Sequence, residues 1–271
     1  MLNDITIGQY FPADSLIHKI DPRIKFVLLI MVLAVLLFFS STYFTLGISA
    51  SFILLVLILS KIPLKMYFKN LKAILPIIIF TAVINTFYAK GGEVLLDWWI
   101  FKVTSEGVSR AIFMAVRVCL LILISATLTY TVTPNDLTEA LERLLSPLKI
   151  FGLGSAVHIL TMMMTIALRF IPILIEETGK IMNAQRSRGS DIESGGFIQR
   201  IKALIPILIP LFVMSIRRSY ELAEAMECRC YNGGEGRKRM KIMKLSLLDY
   251  FVAFVTVLFC AAVISLNFIL R

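Results

Sequence analysis

Residues 245–270 read LSLLDYFVAFVTVLFCAAVISLNFIL, and this stretch decides the class of fold. Asp249 is its one formally charged residue, and it stands near the start of the stretch. A helix needs roughly 20 mostly apolar residues to cross the hydrocarbon core of a bilayer. The stretch therefore predicts a membrane-spanning helix.

Four stretches in the first half of the chain have the same apolar character, at about 24–40, 43–60, 71–88 and 108–132. The whole chain agrees with them, because 58% of its 271 residues are hydrophobic, only 17% are charged, and its mean hydropathy is +0.84. Such a composition is typical of a membrane protein and not of a soluble domain. The sequence therefore predicts an all-α protein with about five transmembrane helices in a lipid bilayer.

The basic residues predict which side of the membrane each connection occupies. With the N-terminus inside, the cytoplasmic side holds Lys19, Arg23, Lys25 and the four lysines of the second connection, Lys61, Lys65, Lys69 and Lys72. The first outer connection carries no charge, as the positive-inside rule requires. No aromatic-basic platform accompanies the net charge of +10, so we expect no nucleic-acid partner. We expect a multi-pass protein of the cell membrane with a cytoplasmic N-terminus.

Residues 133–244 are unlike the rest, because they hold sixteen of the 28 Lys and Arg residues and also long apolar runs. The region opens with Thr133-Pro134-Asn135-Asp136, which is typical of a helix N-cap, a proline at the first helical position and an acid in the first turn. Leucines then recur at helical spacing. Two longer segments follow, Ser155–Gly189 and Phe197–Tyr231, each apolar at first and charged towards its end.

We therefore expect a cytoplasmic-side coupling region of three amphipathic helices, two of them long. The apolar halves of the long helices, 156–168 and 203–216, are short for full spans, especially with His158 in the first and Pro206 and Pro210 in the second. We expect both helices to lie along the inner face of the membrane and to carry their polar ends into the cytoplasm. The chain then divides into 1–132 (four spans), 133–244 (coupling region) and 245–271 (final span).

The two long segments end alike. The hexapeptides 184–189 and 225–230, AQRSRG and AMECRC, share the spacing from alanine to the last arginine, and small residues flank that arginine in both. One such arginine is an ordinary positive-inside charge. Two matched triplets, Ser187-Arg188-Gly189 and Cys228-Arg229-Cys230, indicate more, since a guanidinium binds a carboxylate through two parallel hydrogen bonds and small neighbours let a protein surface approach. They predict docking points for two copies of a cytoplasmic partner with an acidic groove.

The sequence carries no recognisable catalytic machinery. It has no phosphate-cradling G-x-x-x-x-G-K-[ST] loop, and the glycine-rich stretch Gly233–Lys238 has the wrong spacing, so we expect nucleotide to bind a partner. The spans hold no acid deeper than Asp249, which disfavours ion-coupled transport. His18 and His158 have no companion cluster, and Cys228 and Cys230 lack a third ligand. We expect no enzyme site, no metal site and no cofactor.

Arg117 is the one formally charged residue well inside a span. Such residues are functional candidates. Pairing with a polar group on a neighbouring helix, or reaching outwards to the interface, also explains it. Both interpretations stay open from the sequence.

On these residues the chain resembles the transmembrane component, or T subunit, of energy-coupling factor transporters, a family that includes versions for cobalt and nickel uptake. His18–Arg23 resembles the family's N-terminal element, in which we single out Asp21, Pro22 and Arg23, although Asp21-Pro22 is also an ordinary N-cap and first-turn proline. Thr133–Leu137 resembles the opening of its coupling region. The family's paired triplets are often Ala-Arg-Gly; Ser187-Arg188-Gly189 is close to this, and Cys228-Arg229-Cys230 keeps only the arginine.

The resemblance implies an ABC-type importer of vitamins or metal ions in which this subunit neither binds the substrate nor hydrolyses ATP. Two cytoplasmic ATPase subunits would dock through Arg188 and Arg229. A membrane-embedded substrate-binding subunit would pack against the apolar coupling helices and spans, and ATP-driven movement would reorient it. The alternative is a self-contained membrane permease or channel.

Overall fold

The computed structural model describes residues 10–88, 94–98, 101–147, 152, 154–190, 196–232 and 245–270. This part of the chain contains eight helices and one two-stranded hairpin. In chain order they are α1 (Pro22–Phe38), α2 (Tyr43–Ser60), α3 (Leu64–Tyr88), β1 (Val94–Trp98), β2 (Phe101–Thr104), α4 (Ser105–Thr131), α5 (Pro134–Leu144), α6 (Gly154–Ser187), α7 (Phe197–Glu227) and α8 (Leu247–Ile269).

The described residues fall into two compact units. The first, which we call the bundle, takes the described residues of 8–137 and 243–271 and contains α1 to α4, the hairpin and α8. The second, which we call the coupling unit, takes those of 138–242 and contains α6, α7 and most of α5. The division at 132/133 and 244/245 remains a prediction, and the glycine-rich stretch Gly233–Lys238 lies outside the described residues.

The predicted fold class is confirmed, with α1, α2, α3, α4 and α8 at the five predicted spans and three helices in the coupling region. The largest difference is that α3 begins at Leu64 and not near residue 71, because its first turns include the basic residues Lys65 and Lys69. The described helices long and apolar enough to cross a membrane are α2, α3, α4, α6 and α8.

The predicted course of α6 along the membrane's inner face therefore stays a prediction, since its length and composition also suit a span. Helix α1, in contrast, is predicted as a span and is shorter than these five helices. At 17 residues it lies at the short end of the range for a membrane-spanning helix.

Local capping signals set two helix starts where the sequence predicts them. The carboxylate of Asp21 accepts the N–H of Arg23 at 2.9 Å, with Pro22 at the first position of α1. The Thr133 hydroxyl accepts the N–H of Asp136 at 3.2 Å and donates to its carboxylate at 2.8 Å, at the start of α5. Each side chain thus satisfies a backbone N–H that has no partner within the helix.

The hairpin between α3 and α4 was not predicted. Its strands are antiparallel, with Val94 opposite Thr104 and Trp98 opposite Phe101. The strands have only five and four residues, and the intervening Trp99-Ile100 lacks the Gly, Asn or Asp that marks a tight hairpin turn. Sequence patterns therefore gave no strand signal here.

The core of the bundle joins α1, α2, α4 and α8. Its buried residues are Val32, Val35, Leu36, Leu46, Ile53, Leu120, Ile124, Cys260 and Val263. Close packing also brings α3 to the start of α4, where a Cβ added at Gly107 would lie 2.6 Å from the Thr86 carbonyl oxygen. A side chain at Gly107 would force these two helices apart, so the glycine sets their separation.

Candidate functional site

The polar end of α6 closes in a Schellman turn. The N–H of Ser190 donates to the carbonyl of Gln185 at 3.0 Å, and the N–H of Gly189 donates to that of Arg186 at 3.0 Å. Gly189 has φ +82°, in the left-handed region where glycine costs least. Arg188 is the last residue before this reversal, and it is exposed.

The polar end of α7 repeats this turn residue for residue. The N–H of Tyr231 donates to the carbonyl of Met226 at 3.1 Å, and that of Cys230 donates to Glu227 at 2.8 Å. Cys230 has φ +55°. Arg229 therefore takes the same place as Arg188, and it is also exposed. The sequence match between the two ends corresponds to one shared backbone motif.

The flanking residues have backbone roles that the sequence did not indicate. Gly189 and Cys230 both reverse the chain, which explains the glycine at 189 without reference to a partner but not the cysteine at 230. Ser187 donates its hydroxyl to the Asn183 carbonyl at 3.1 Å, and Cys228 closes the last hydrogen bond of α7 to Glu224 at 2.9 Å. Their predicted part in docking remains a prediction.

The two tips differ in charge. The last turns of α6 carry Lys180, Arg186 and Arg188, whereas the last turns of α7 carry Glu224 and Glu227 beside Arg229. An acidic surface is therefore attracted more strongly to the α6 tip than to the α7 tip.

Side-chain contacts fix how α6 and α7 pack within the coupling unit. The Gln185 amide donates to the Pro206 carbonyl at 3.3 Å, and Arg218 lies 3.6 Å from the Glu177 carboxylate. The Pro206 carbonyl needs this donor, because Pro210 has no N–H to return to it within the helix. The helices run antiparallel here, since contacts move back along α6 as they move forward along α7.

The packing separates the two arginines. Arg188 lies three residues beyond the Gln185–Pro206 contact, whereas Arg229 lies 23 residues further along α7 than Pro206. At 1.5 Å per residue that interval is roughly 35 Å. The two tips are therefore separate surfaces and do not form one composite site.

The predicted N-terminal element belongs to the bundle. Asp21 is buried and caps α1, Pro22 is the first residue of that helix, and Arg23 places its Nε 3.6 Å from the Asp21 carboxylate. The backbone N–H of Asp21 in turn donates to the Asp249 carboxylate at 2.8 Å. The sequence analysis missed this use of Asp249, although Ser246-x-x-Asp249 is a capping-box pattern that signals a helix start.

Arg117 has a structural role. Its Nε donates to the Leu36 carbonyl at 2.6 Å, and one terminal nitrogen donates to the Leu37 carbonyl. Because α1 ends at Phe38, these carbonyls belong to its last turn and have no helical partner. Arg117 therefore pairs with polar groups of a neighbouring helix, as one of the predicted explanations had it.

The remaining candidates for chemistry are structural or isolated. The Nδ1–H of His158 donates to the Glu142 carboxylate at 3.3 Å, joining α5 to α6. Cys228 and Cys230 are exposed, and Cys260 is buried in α8. Within the described ranges no group of three His, Cys, Asp or Glu side chains is placed to hold a metal ion.

Comparison with known proteins supplies the family. The model of a family described as cobalt transport protein (CbiQ) matches residues 13–242. The chain belongs to this family. It is 47% identical over 269 residues to the energy-coupling factor transporter transmembrane protein EcfT of Ruminiclostridium cellulolyticum, with 99% of each chain covered. Similar proteins of the same name occur in Brevibacillus brevis (48% over 258 residues, 95% and 96% covered) and Listeria innocua (37% over 249 residues, 92% and 93% covered).

The predicted resemblance is thereby confirmed. The chain is a member of the CbiQ/EcfT family, the transmembrane component of energy-coupling factor transporters, and a multi-pass membrane protein.

Proposed function

We propose that this chain is the coupling subunit of an importer for vitamins or metal ions, passing the movement of two cytoplasmic ATPase subunits to a membrane-embedded substrate-binding subunit. The observation that carries the proposal is the repeated helix end, in which Arg188 and Arg229 occupy the same position of the same turn. A repeated surface suits two copies of one partner, and the family membership supports a transporter.

Each arginine is well placed to enter a partner's acidic groove. It stands just beyond the last residue of its helix, where the negative end of the helix dipole favours a cation. Its side chain is exposed and the chain turns away directly behind it. A carboxylate on the ATPase would bind the guanidinium through two parallel hydrogen bonds.

The substrate-binding subunit needs an apolar surface, and α7 offers one. The exposed large apolar residues on its middle turns are Leu208, Ile209, Phe212 and Val213. A contiguous exposed apolar patch of this kind marks a contact with lipid or with another protein. We propose that this face receives the substrate-binding subunit within the membrane, while nucleotide is bound by the ATPases.

The test is assembly of the complex with charge-reversed tips. Arg188→Glu or Arg229→Glu alone should weaken co-purification of the ATPases, and the double variant should abolish it together with substrate uptake in proteoliposomes, because linked contacts reinforce one another. Losing one buried partner of such a pair costs about 2 to 5 kcal/mol. Arg188→Glu should be the more damaging single change, since residues 180–188 at the end of α6 include no acid, whereas Glu224 and Glu227 precede Arg229.

Arg186→Glu is the matched control, because it makes the same charge change two residues away on another face of α6. Arg186 already interacts within the chain, so a harmless replacement would be a stringent control. Exchanging Ser187 and Arg188 (Ser187→Arg with Arg188→Ser) keeps the composition and moves the guanidinium by one position. Normal assembly of the double variant, or equal damage from Arg186→Glu, would show that these arginines are only positive-inside charge.

Sidedness is tested with the native thiols. We propose that the N-terminus and the coupling region are cytoplasmic, so a membrane-impermeant thiol reagent should label the exposed Cys228 and Cys230 in inside-out vesicles only. Cys260, buried in α8, serves as the unlabelled reference. Labelling of Cys228 or Cys230 in intact cells would reverse the proposed orientation.

A further inference from the structure

The C-terminus of α4 is capped by a segment more than a hundred residues away in the chain. The N–H of Phe11 donates to the Tyr130 carbonyl at 2.9 Å. The ammonium of Lys25 donates to the Thr131 carbonyl at 3.2 Å. These carbonyls belong to the last turn of α4 and have no partner within the helix. Residues 11–25 therefore close the end of α4, and we call them the N-terminal clamp.

Lys25 is the centre of the clamp. It is only 8% exposed, and its ammonium also donates to the His18 carbonyl at 3.4 Å. The carboxylates of Asp21, Asp136 and Asp249 lie close enough to stabilise its positive charge. Burial of an ammonium is costly, and here two hydrogen bonds to carbonyls and the nearby carboxylates offset part of that cost.

Asp249 ties the clamp to α8. One of its carboxylate oxygens accepts the N–H of Asp21 at 2.8 Å, and the other accepts the N–H of Ser246 at 2.6 Å. The side chain is 1% exposed. It thus joins the start of α1 to the start of α8, while Lys25 joins α1 to the end of α4.

His18 holds the clamp in shape. Its Nε2–H donates to the Phe11 carbonyl at 2.9 Å, so Nδ1 of the neutral ring accepts from the Ser15 hydroxyl at 2.6 Å. Burial lowers the pKa of His18, which keeps the ring neutral at pH 7.

The clamped turn lies where the chain leaves the spans. Only Val132 and Thr133 separate the end of α4 from the start of α5, and Thr133 caps α5. A frayed last turn of α4 would add flexible residues at this point. A displacement of α5 would then be absorbed by this flexible connection and would not reach α4.

We propose that Lys25 is a positioning residue for energy coupling: by fixing the last turn of α4 against α1, it makes α1, α4 and α8 respond together when α5 is moved. This inference rests on the proposed function, in which the ATPases supply that movement. It assigns to the N-terminal element a mechanical role within the bundle and no contact with a partner.

The experiment compares Lys25→Met with wild type in the full complex in proteoliposomes, measuring uptake per ATP hydrolysed. Assembly and ATP hydrolysis should persist, because the tips are unchanged, whereas uptake per ATP should fall roughly 2- to 30-fold, the range for residues on a coupling network. Lys25→Arg, which keeps the charge and donors, should restore most of it. Lys19→Met removes the same charge from an exposed position of the clamp and should leave the ratio unchanged.

Amide hydrogen exchange separates positioning from simple stability. Lys25→Met should speed exchange at Val132, whose N–H donates to the Leu128 carbonyl at the end of α4. If exchange at Val132 becomes faster but uptake per ATP stays at the wild-type value, the inference is wrong. It is also wrong if exchange at Val132 does not change. If the complex with Lys25→Met does not assemble, Asp249→Asn is measured in the same assay. A loss of uptake per ATP, smaller than that expected for Lys25→Met, supports the inference, and no loss overturns it. Absence of ATPases from the wild-type complex would instead refute the proposed function.

Discussion

The C-termini of α6 and α7 are closed by the residues that directly follow them, whereas those of α1 and α4 are closed by residues from other parts of the chain. Ser190 and Tyr231 return to their own helices in Schellman turns. Arg117 caps α1, and Lys25 caps α4. At each of the four ends some of the carbonyls without a helical partner therefore find donors, by two different routes.

The two kinds of helix end suit different roles: one exposes a side chain to another molecule, and the other holds helices of the same chain together. A self-closed end needs no neighbour, so its arginine remains exposed for another molecule. An end closed from a distance ties helices together, because its donor belongs to another helix. We expect the two kinds of end to differ in energy as they do in geometry.

The largest effect is expected at a distantly closed end. Arg117→Met removes both donors from the last turn of α1 and should destabilise the bundle by about 1.5 to 3 kcal/mol, as for hydrogen bonds from charged groups. The apparent melting temperature of the purified protein in detergent measures this. Arg117→Lys should be intermediate, because one ammonium does not reproduce the two-point contact.

Arg110→Met is the control on the same helix. Arg110 is exposed and pairs with Glu106 one turn away at 2.6 Å, an arrangement worth about 0.3 to 0.5 kcal/mol. Equal melting temperatures for the Arg110 and Arg117 variants would mean that capping by Arg117 stabilises the bundle no more than an exposed ion pair does.

At the self-closed ends, two substitutions should act in opposite directions. Gly189→Ala places a Cβ in the left-handed region and should cost about 1 kcal/mol, whereas Cys230→Gly relieves that strain and should stabilise its end by up to about 1 kcal/mol. Exchange of the Ser190 amide should speed up about fivefold in the first variant, and exchange of the Tyr231 amide should slow in the second. Effects of the same sign would show that the two turns are not equivalent.

The smallest effect concerns acid and the N-terminal clamp. Because burial lowers the pKa of His18, the unfolded chain binds a proton more readily than the folded one, and stability should fall as the pH drops through 6.5 towards the folded pKa. Above pH 6.5 this contribution is complete. His18→Gln should reduce the dependence of the melting temperature on pH between 7 and 5; an unchanged slope would mean that other groups cause it.

Sequence reasoning predicted the locally determined features. Asp21 and Thr133 cap the helices they precede, and the matched triplets correspond to matched turns, because each feature involves residues within about six positions. The same reasoning could not find the partners of Arg117 or Asp249. Those partners are 80 and 228 residues away, and only the packed bundle brings them together.

Composition also had a limit in the coupling unit. It predicted three helices, two of them long, but the role of Gln185 depends on a carbonyl that Pro210 leaves free on the other helix. A sequence pattern within one segment contains no information on a hydrogen bond to another helix. The tips were therefore predictable as a motif, and their separation of roughly 35 Å was not.

The hydrogen bond between Asp21 and Asp249 has a consequence for biosynthesis. The two residues are 228 positions apart, so at 5 to 20 residues per second the ribosome adds Asp249 roughly 10 to 45 seconds after Asp21. During that interval α1 can enter the membrane, but its start has no carboxylate from α8. The hydrogen bond therefore forms only after α8 has been synthesised, so the start of α1 is completed after α1 to α7 have all been made.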